Sequence, residues 1–189
     1  MRVNPPLAEG FPSAPADRLG HELELTTVYA QHADFVWRSL QRLGVPAQDL
    51  EDAFQETFVV VHRRLSDFGG RSKLTTWLFG ICLRVAKRQR RLGFLRELAP
   101  EGAPEPVEHR TPEREAQQRQ AERLLAVILD RLTPEQRAVF TMFEFEQIDC
   151  PEIAAVMGVP VGTVYSRLHA ARARFQREHE RLERRGGPR

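Results

Sequence analysis

An all-α fold of two small helical domains is predicted for this 189-residue chain by three observations. Apolar residues recur at three- and four-residue spacing through most of the length, and no run alternates as a strand would. One proline- and glutamate-rich stretch, LAPEGAPEPVEHRTP, interrupts that periodicity. The C-terminal half carries a helix, a glycine turn and a second helix in DCPEIAAVMGVPVGTVYSRLHAARARF.

The elements follow in order. Residues 1–24, rich in Pro, Ala and Gly, read as a flexible tail. In the domain expected over 25–96, a first helix turns Tyr29, Ala33, Val36, Leu40 and Leu43 inward and stops near Gly44. A second, over about residues 48–65, turns Leu50, Phe54, Phe58, Val61 and Leu65 inward. SDFGGRS breaks the pattern, and a third helix starts near Thr75 and runs towards Leu92, with Leu74, Leu78, Ile81, Cys82 and Val85 on its apolar face. Residues 97–111, rich in proline and glutamate with almost no large apolar residue, form the linker.

The second domain is expected over 112–185, with Thr111 capping its first helix and Leu124, Leu125, Ile128, Leu129 and Leu132 as its stripe. Thr133-Pro134-Glu135-Gln136 restarts a helix with a cap, a proline at the first position and a glutamine three residues after the cap. Asp149 caps the next, Gly158 supplies the positive φ that ends it, and Pro160 pre-sets the start of the last. There Val164, Leu168, Ala171 and Phe175 face the core, leaving Tyr165, Ser166, His169 and Arg172 on the other side.

Composition excludes several classes. Cys82 and Cys150 are isolated, which argues against a disulfide framework or a cysteine-based zinc site. The six histidines form no ligand-spaced pair, so no metal or other cofactor is expected. No apolar run is long enough to span a membrane, and the N-terminus lacks a signal-peptide core, so a cytoplasmic protein is expected.

The formal net charge is only +2, but charge is segregated. Arg84, Lys87, Arg88 and Arg91 share one helical face, and no acid stands between Asp67 and Glu97. Aligned cations repel unless a polyanion is present, and phosphate is the obvious one. Phe68 and Trp77 flank this segment; Trp77 suits core packing, while Phe68 suits either a loop contact or stacking on unpaired bases. The second helix behaves oppositely, with Asp49, Asp52, Gln55 and Glu56 forming an acidic, amide-bearing face. It reads as a solvated or protein-docking surface, since a divalent metal would need further ligands converging from elsewhere.

In a helix-turn-helix the second helix enters the major groove and its first turns reach base edges. Gly162 and Thr163 stand near the start of that helix, and Tyr165, Ser166, His169 and Arg172 lie on its outward side. The backbone N–H groups of Gly162 and Thr163 are placed to approach a phosphate.

These segments together resemble the extracytoplasmic-function (ECF) group of sigma factors, two-domain members of the sigma-70 family. DLEDAFQETF resembles the family's second conserved helix, SKLTTWLFGICLRVAKRQRR its promoter-melting helix, and LTPEQRAVF with PEIAAVMGVPVGTVYSRLHAAR its C-terminal domain. The resemblance implies a non-enzymatic protein without a small-molecule substrate. It implies docking of Asp49, Asp52, Gln55 and Glu56 on core RNA polymerase through the beta-prime and beta subunits. It implies capture of the minus-ten element as single strands by Phe68, Arg84, Lys87, Arg88 and Arg91, and duplex readout of the minus-thirty-five element by Pro160, Gly162, Thr163, Tyr165, Ser166, His169 and Arg172 of the helix-turn-helix, with Arg167 contacting phosphate or packing within the domain. An anti-sigma factor, often membrane-bound, is a further implied partner. The chain departs from the family pattern at Arg84, Arg88, Phe143 and Tyr165, so the class transfers but no promoter sequence does.

Two rivals make different predictions. A helix-turn-helix regulator acting without polymerase would bind duplex tightly alone, usually as a dimer on a palindrome. A metal-dependent nuclease built on Asp49, Asp52 and Glu56 would cleave DNA with magnesium.

Overall fold

The computed structural model describes residues 24–97 and 114–184, with side chains over 24–93 and 120–184. The expected tail and linker therefore lie almost wholly outside the described residues. Seven α-helices and no strand are found among those described: α1 (Leu25–Arg42), α2 (Leu50–Arg64), α3 (Leu74–Glu97), α4 (Arg114–Asp130), α5 (Pro134–Phe140), α6 (Cys150–Met157) and α7 (Val161–Arg184). Short 3₁₀ turns, Ala47–Asp49 and Leu65–Asp67, bracket α2, and a π-helical turn, Thr141–Phe145, continues α5. No helix among the described residues is long and apolar enough to cross a membrane.

Helices α1, α2 and α3 pack mutually into one unit. Val36, Leu40, Leu43, Leu50, Val61, Leu78 and Ile81 are buried there, as the helical periodicity requires. Tyr29 departs from the expected inward stripe and is 48% exposed. Its ring instead leans on Phe58 at 4.8 Å and Phe54 at 6.0 Å, at the rim of a groove on the outer side of α1 and α2. Trp77 is buried and packs against Phe68 at 5.5 Å, which leaves Phe68 half-buried.

In the second unit α7 runs against α4, α5 and α6. Caps fix the starts. Thr133 and Gln136 exchange both bonds of a capping box, Gln136 N–H donating to Thr133 Oγ1 and Thr133 N–H to Gln136 Oε1. Asp149 Oδ1 accepts from Glu152 N–H at 2.8 Å, and Pro151 follows within the first turn of α6. Gly158 takes φ 65°, the left-handed stop that separates α6 from α7. Val164, Leu168 and Ala171 are buried, with Phe175 stacked on Phe140 at 4.9 Å.

The two units are also in contact, α6 lying on α3. The sharpest contact is at the C-terminus of α1, whose last carbonyls carry partial negative charge. Arg137 of α5 donates there to the carbonyls of Arg42 and Gln41. Arg42 pairs in return with Glu146 at 3.0 Å and lies 4.3 Å over the Phe145 ring. Burial pushes the Glu146 carboxyl up, and Arg42 pulls it back. Gly44, at φ 86°, lets Arg137 approach this closely, since a Cβ there would stand 2.7 Å from Arg137 Nη1.

Candidate nucleic-acid interface

The positively charged face forms because α3 buries Leu78, Ile81, Cys82 and Val85 and so turns the intervening residues outward. Lys87, Arg88 and Arg91 are exposed, and Arg84 is half-buried. Burial lowers the Arg84 guanidinium below its ordinary range, and neighbouring Arg64 adds to this. Lys87 and Arg91 have no acidic partner among the described residues, as a phosphate-facing surface requires. Arg90 is turned away, donating from Nη1 to the Leu43 carbonyl at 2.8 Å.

The Phe68 loop continues this surface. Phe68, Gly69, Arg71 and Trp77 line a cleft of about 340 Å³ whose far wall is Glu152, Ala155 and Val156 of α6. The rings stand at a 54° tilt, so Phe68 both covers Trp77 and keeps part of its own surface free.

The acidic face is smaller than its sequence suggests. Asp52 and Gln55 are exposed on α2. Asp49 is not on that surface: it sits in the 3₁₀ turn before α2 and is buried, 4% exposed. The turn rotates it off the helical face that Asp52 and Gln55 share. Glu56 is held rather than free, its Oε1 2.5 Å from Arg88 Nη1 and its Oε2 accepting from the Gln89 amide at 3.3 Å. Beside this face lies a groove of about 830 Å³, lined by Tyr29, Trp37, Phe54, Phe58 and Val59 and edged by Gln55. Sequence reasoning missed this groove, because Phe54 and Phe58 fall on the helix's core spacing. Only Trp37 and Val59, outside that spacing, signalled it.

The helix-turn-helix presents the remaining candidates. Tyr165 is 57% exposed, and Pro160, Gly162, Ser166 and His169 are exposed beside it. Thr163 and Arg167 are half-buried. Gly162 has open space around its Cβ position, so another chain could lie against it. The N–H of Thr163 differs from expectation, since it donates to the Pro160 carbonyl at 2.9 Å. Ser166 Oγ donates back to the Thr163 carbonyl at 3.0 Å. Arg172 is exposed but partnered: its Nε donates to Glu144 at 2.6 Å, and its guanidinium lies 4.9 Å over Phe143. Tyr165, Ser166 and His169 thus share the exposed side of α7 with Arg172, which also ties the helix to the π-helical turn.

Among the described residues no group of three His, Cys, Asp or Glu side chains is placed to hold a metal ion. Cys82 is buried, and burial pushes its thiol far up, away from the reactive thiolate.

The chain was compared with known proteins. A family model described as Sigma-70 region 2 matches residues 28–92, and one described as Sigma-70, region 4 matches residues 122–175. The ECF RNA polymerase sigma factor SigE of Mycolicibacterium smegmatis is 35% identical over 153 residues, which cover 77% of this chain. The chain spans 58% of that relative's length. The RNA polymerase sigma-H factor of Pseudomonas aeruginosa is 32% identical over 136 residues, covering 67% of this chain and 70% of the relative. The sigma factor RpoE of Bartonella quintana, solved with the anti-sigma factor NepR, has the same fold at a TM-score of 0.64 and 19% identity, over 82% of this chain and 96% of that one.

Proposed function

Because the chain belongs to the ECF group of the sigma-70 family, we propose that it is an alternative sigma factor that directs core RNA polymerase to its own promoters. The observation that carries this reading is the separation of three surfaces. Exposed Asp52 and Gln55 stand on α2, exposed Lys87 and Arg91 on α3, and exposed Tyr165, Ser166 and His169 on α7. A regulator that binds DNA alone needs only the last of these.

The physical roles follow from the chemistry. Asp52 and Gln55 offer charge and amide hydrogen bonds to a basic helical surface of the beta-prime and beta subunits, with the Tyr29–Trp37–Phe54 groove beside them for apolar anchors. Lys87 and Arg91 take phosphates of the minus-ten element, and the Phe68 ring stacks on an unpaired base. Binding to unpaired bases and not to duplex draws the promoter towards its open form. Tyr165, Ser166 and His169 read the minus-thirty-five element as duplex, and residues 97–111 join the two DNA-binding units. No covalent step is involved, so the protein is a binding factor and not itself an enzyme. It works in the cytoplasm of a bacterium, and an anti-sigma factor holds it inactive, as one accompanies the Bartonella protein in its co-crystal.

Promoter binding is therefore expected to depend on polymerase. In a mobility-shift assay on a duplex carrying both elements, core polymerase plus this chain should give a heparin-resistant complex. The chain alone should bind the same duplex at least about ten-fold more weakly, having only one duplex-reading surface. Equal affinity with and without core polymerase would favour a regulator acting alone.

A further inference from the structure

Glu56 belongs to the acidic helix and Arg88 to the basic one, yet they are bonded to each other. The Glu56 carboxylate receives Arg88 Nη1 on one oxygen at 2.5 Å and the Gln89 amide on the other at 3.3 Å. The pair is unequal in exposure: the Arg88 side chain is 52% exposed, whereas that of Glu56 is 19% exposed. Glu56 is thus the anchored partner, and Arg88 the one within reach of solvent and of a polyanion. Arg64 and Arg84 line the same small cleft between α2 and α3, so the carboxylate stands in a field of cations.

We infer that the Glu56–Arg88 pair is a gate that couples polymerase docking to single-strand capture, an inference resting on the assignment of α2 and α3 proposed above. One carboxylate cannot serve two cations fully. While Glu56 neutralises Arg88, that guanidinium releases little counterion on meeting a phosphate. A basic group of the polymerase that takes Glu56 sets Arg88 free for the minus-ten strand. By linkage the reverse holds: a strand that takes Arg88 leaves Glu56 free for polymerase, by the same factor. A half-exposed pair suits this use, because breaking it costs only about five-fold in an equilibrium constant. A fully buried pair would stay shut.

The test is anisotropy of a labelled single-stranded oligonucleotide of minus-ten length, titrated with the full chain without polymerase. E56Q keeps the acceptor for Gln89 and removes the charge that holds Arg88. It should tighten binding two- to five-fold and steepen the log–log salt slope by about 0.7, one more phosphate contact on a single strand. E51Q makes the same change in net charge on an exposed acid of α2 that has no cation of α3 bound to it among the described residues, and should leave both readouts unchanged. The gain should vanish in E56Q/R88A. A gain that persists without Arg88, or that E51Q reproduces, overturns the gate in favour of a general charge effect. No gain in E56Q, with R91A still weakening binding, overturns the gate and leaves α3 as the DNA surface. If R91A and R88A both bind like the parent chain, the assignment of α3 falls and the gate with it. Thermal melts of E56Q and R88A by circular dichroism separate these outcomes from loss of fold.

Discussion

Asp52→Lys should lower the affinity of this chain for core RNA polymerase by about 30-fold or more while leaving its helices intact. Asp52 is exposed in the first turn of α2, and its carboxylate has no hydrogen bond or ion pair among the described residues. Reversing a charge at a docking centre replaces an attraction by a repulsion, worth about 2 kcal/mol or more, and about 1.4 kcal/mol is ten-fold in affinity. The fold loses only the favourable interaction of an acid with a helix N-terminus, about 0.3–1 kcal/mol. Titration of labelled chain with core polymerase measures the first quantity, and a thermal melt measures the second. An unchanged affinity would remove α2 from the docking surface. Glu56→Lys is the poorer probe. It would set a lysine against Arg88 in a cleft also lined by Arg64 and Arg84, so lost binding could reflect lost packing of α2 on α3.

Arg137→Ala should cost about 3 kcal/mol of stability. The side chain is 9% exposed and sits between the two units. Its bond to Asp130, 2.5 Å long, reaches a carboxylate that is 66% exposed, so water recovers most of that loss. The cost lies at the carbonyls of Gln41 and Arg42, which end α1 and receive a charged donor. A hydrogen bond to a charged group contributes about 1.5–3 kcal/mol, and since the Gln41 carbonyl keeps its bond from the Gly44 N–H, the desolvation penalty falls chiefly on the Arg42 carbonyl. For a chain of this length the melting midpoint should fall by about 6–12 °C. Gly44→Ala attacks the same contact from the other side, combining a strained φ with a Cβ driven into the guanidinium, and should lower the midpoint in the same direction. A shift below about 2 °C in both variants would mean that the two units do not depend on this contact.

The sequence revealed most where physics is local. The Thr133–Gln136 box, the Asp149 cap and the left-handed Gly158 were all read from residue type and spacing, because each depends on groups within a few positions. The buried stripe of α7 was legible for the same reason: Val164, Leu168 and Ala171 follow one helical period. The cation face of α3 was legible because no acid interrupts it.

What escaped was long-range. Arg42, Arg137 and Glu146 are unremarkable in sequence, being single charges among many, and their partners lie about a hundred positions away. The Glu56–Arg88 bond spans 32 positions and joins two faces whose chemistry points to different partners. Asp49 was read as continuing the helical face of Asp52, but a 3₁₀ turn has a different angular step and carries it inside. The bond of Arg172 to Glu144 spans 28 positions, and no local signal in the sequence marks the π-helical turn that carries Glu144.

The central claim is that this chain gives core polymerase a promoter specificity it otherwise lacks. The direct test is transcription in vitro with purified core polymerase, this chain and fragments of the host genome, with the starts mapped. The account predicts new starts that share two upstream elements at fixed spacing, absent when either component is omitted and lost with Asp52→Lys. Transcript starts identical with and without the chain, while the chain still shifts duplex fragments alone, would contradict it.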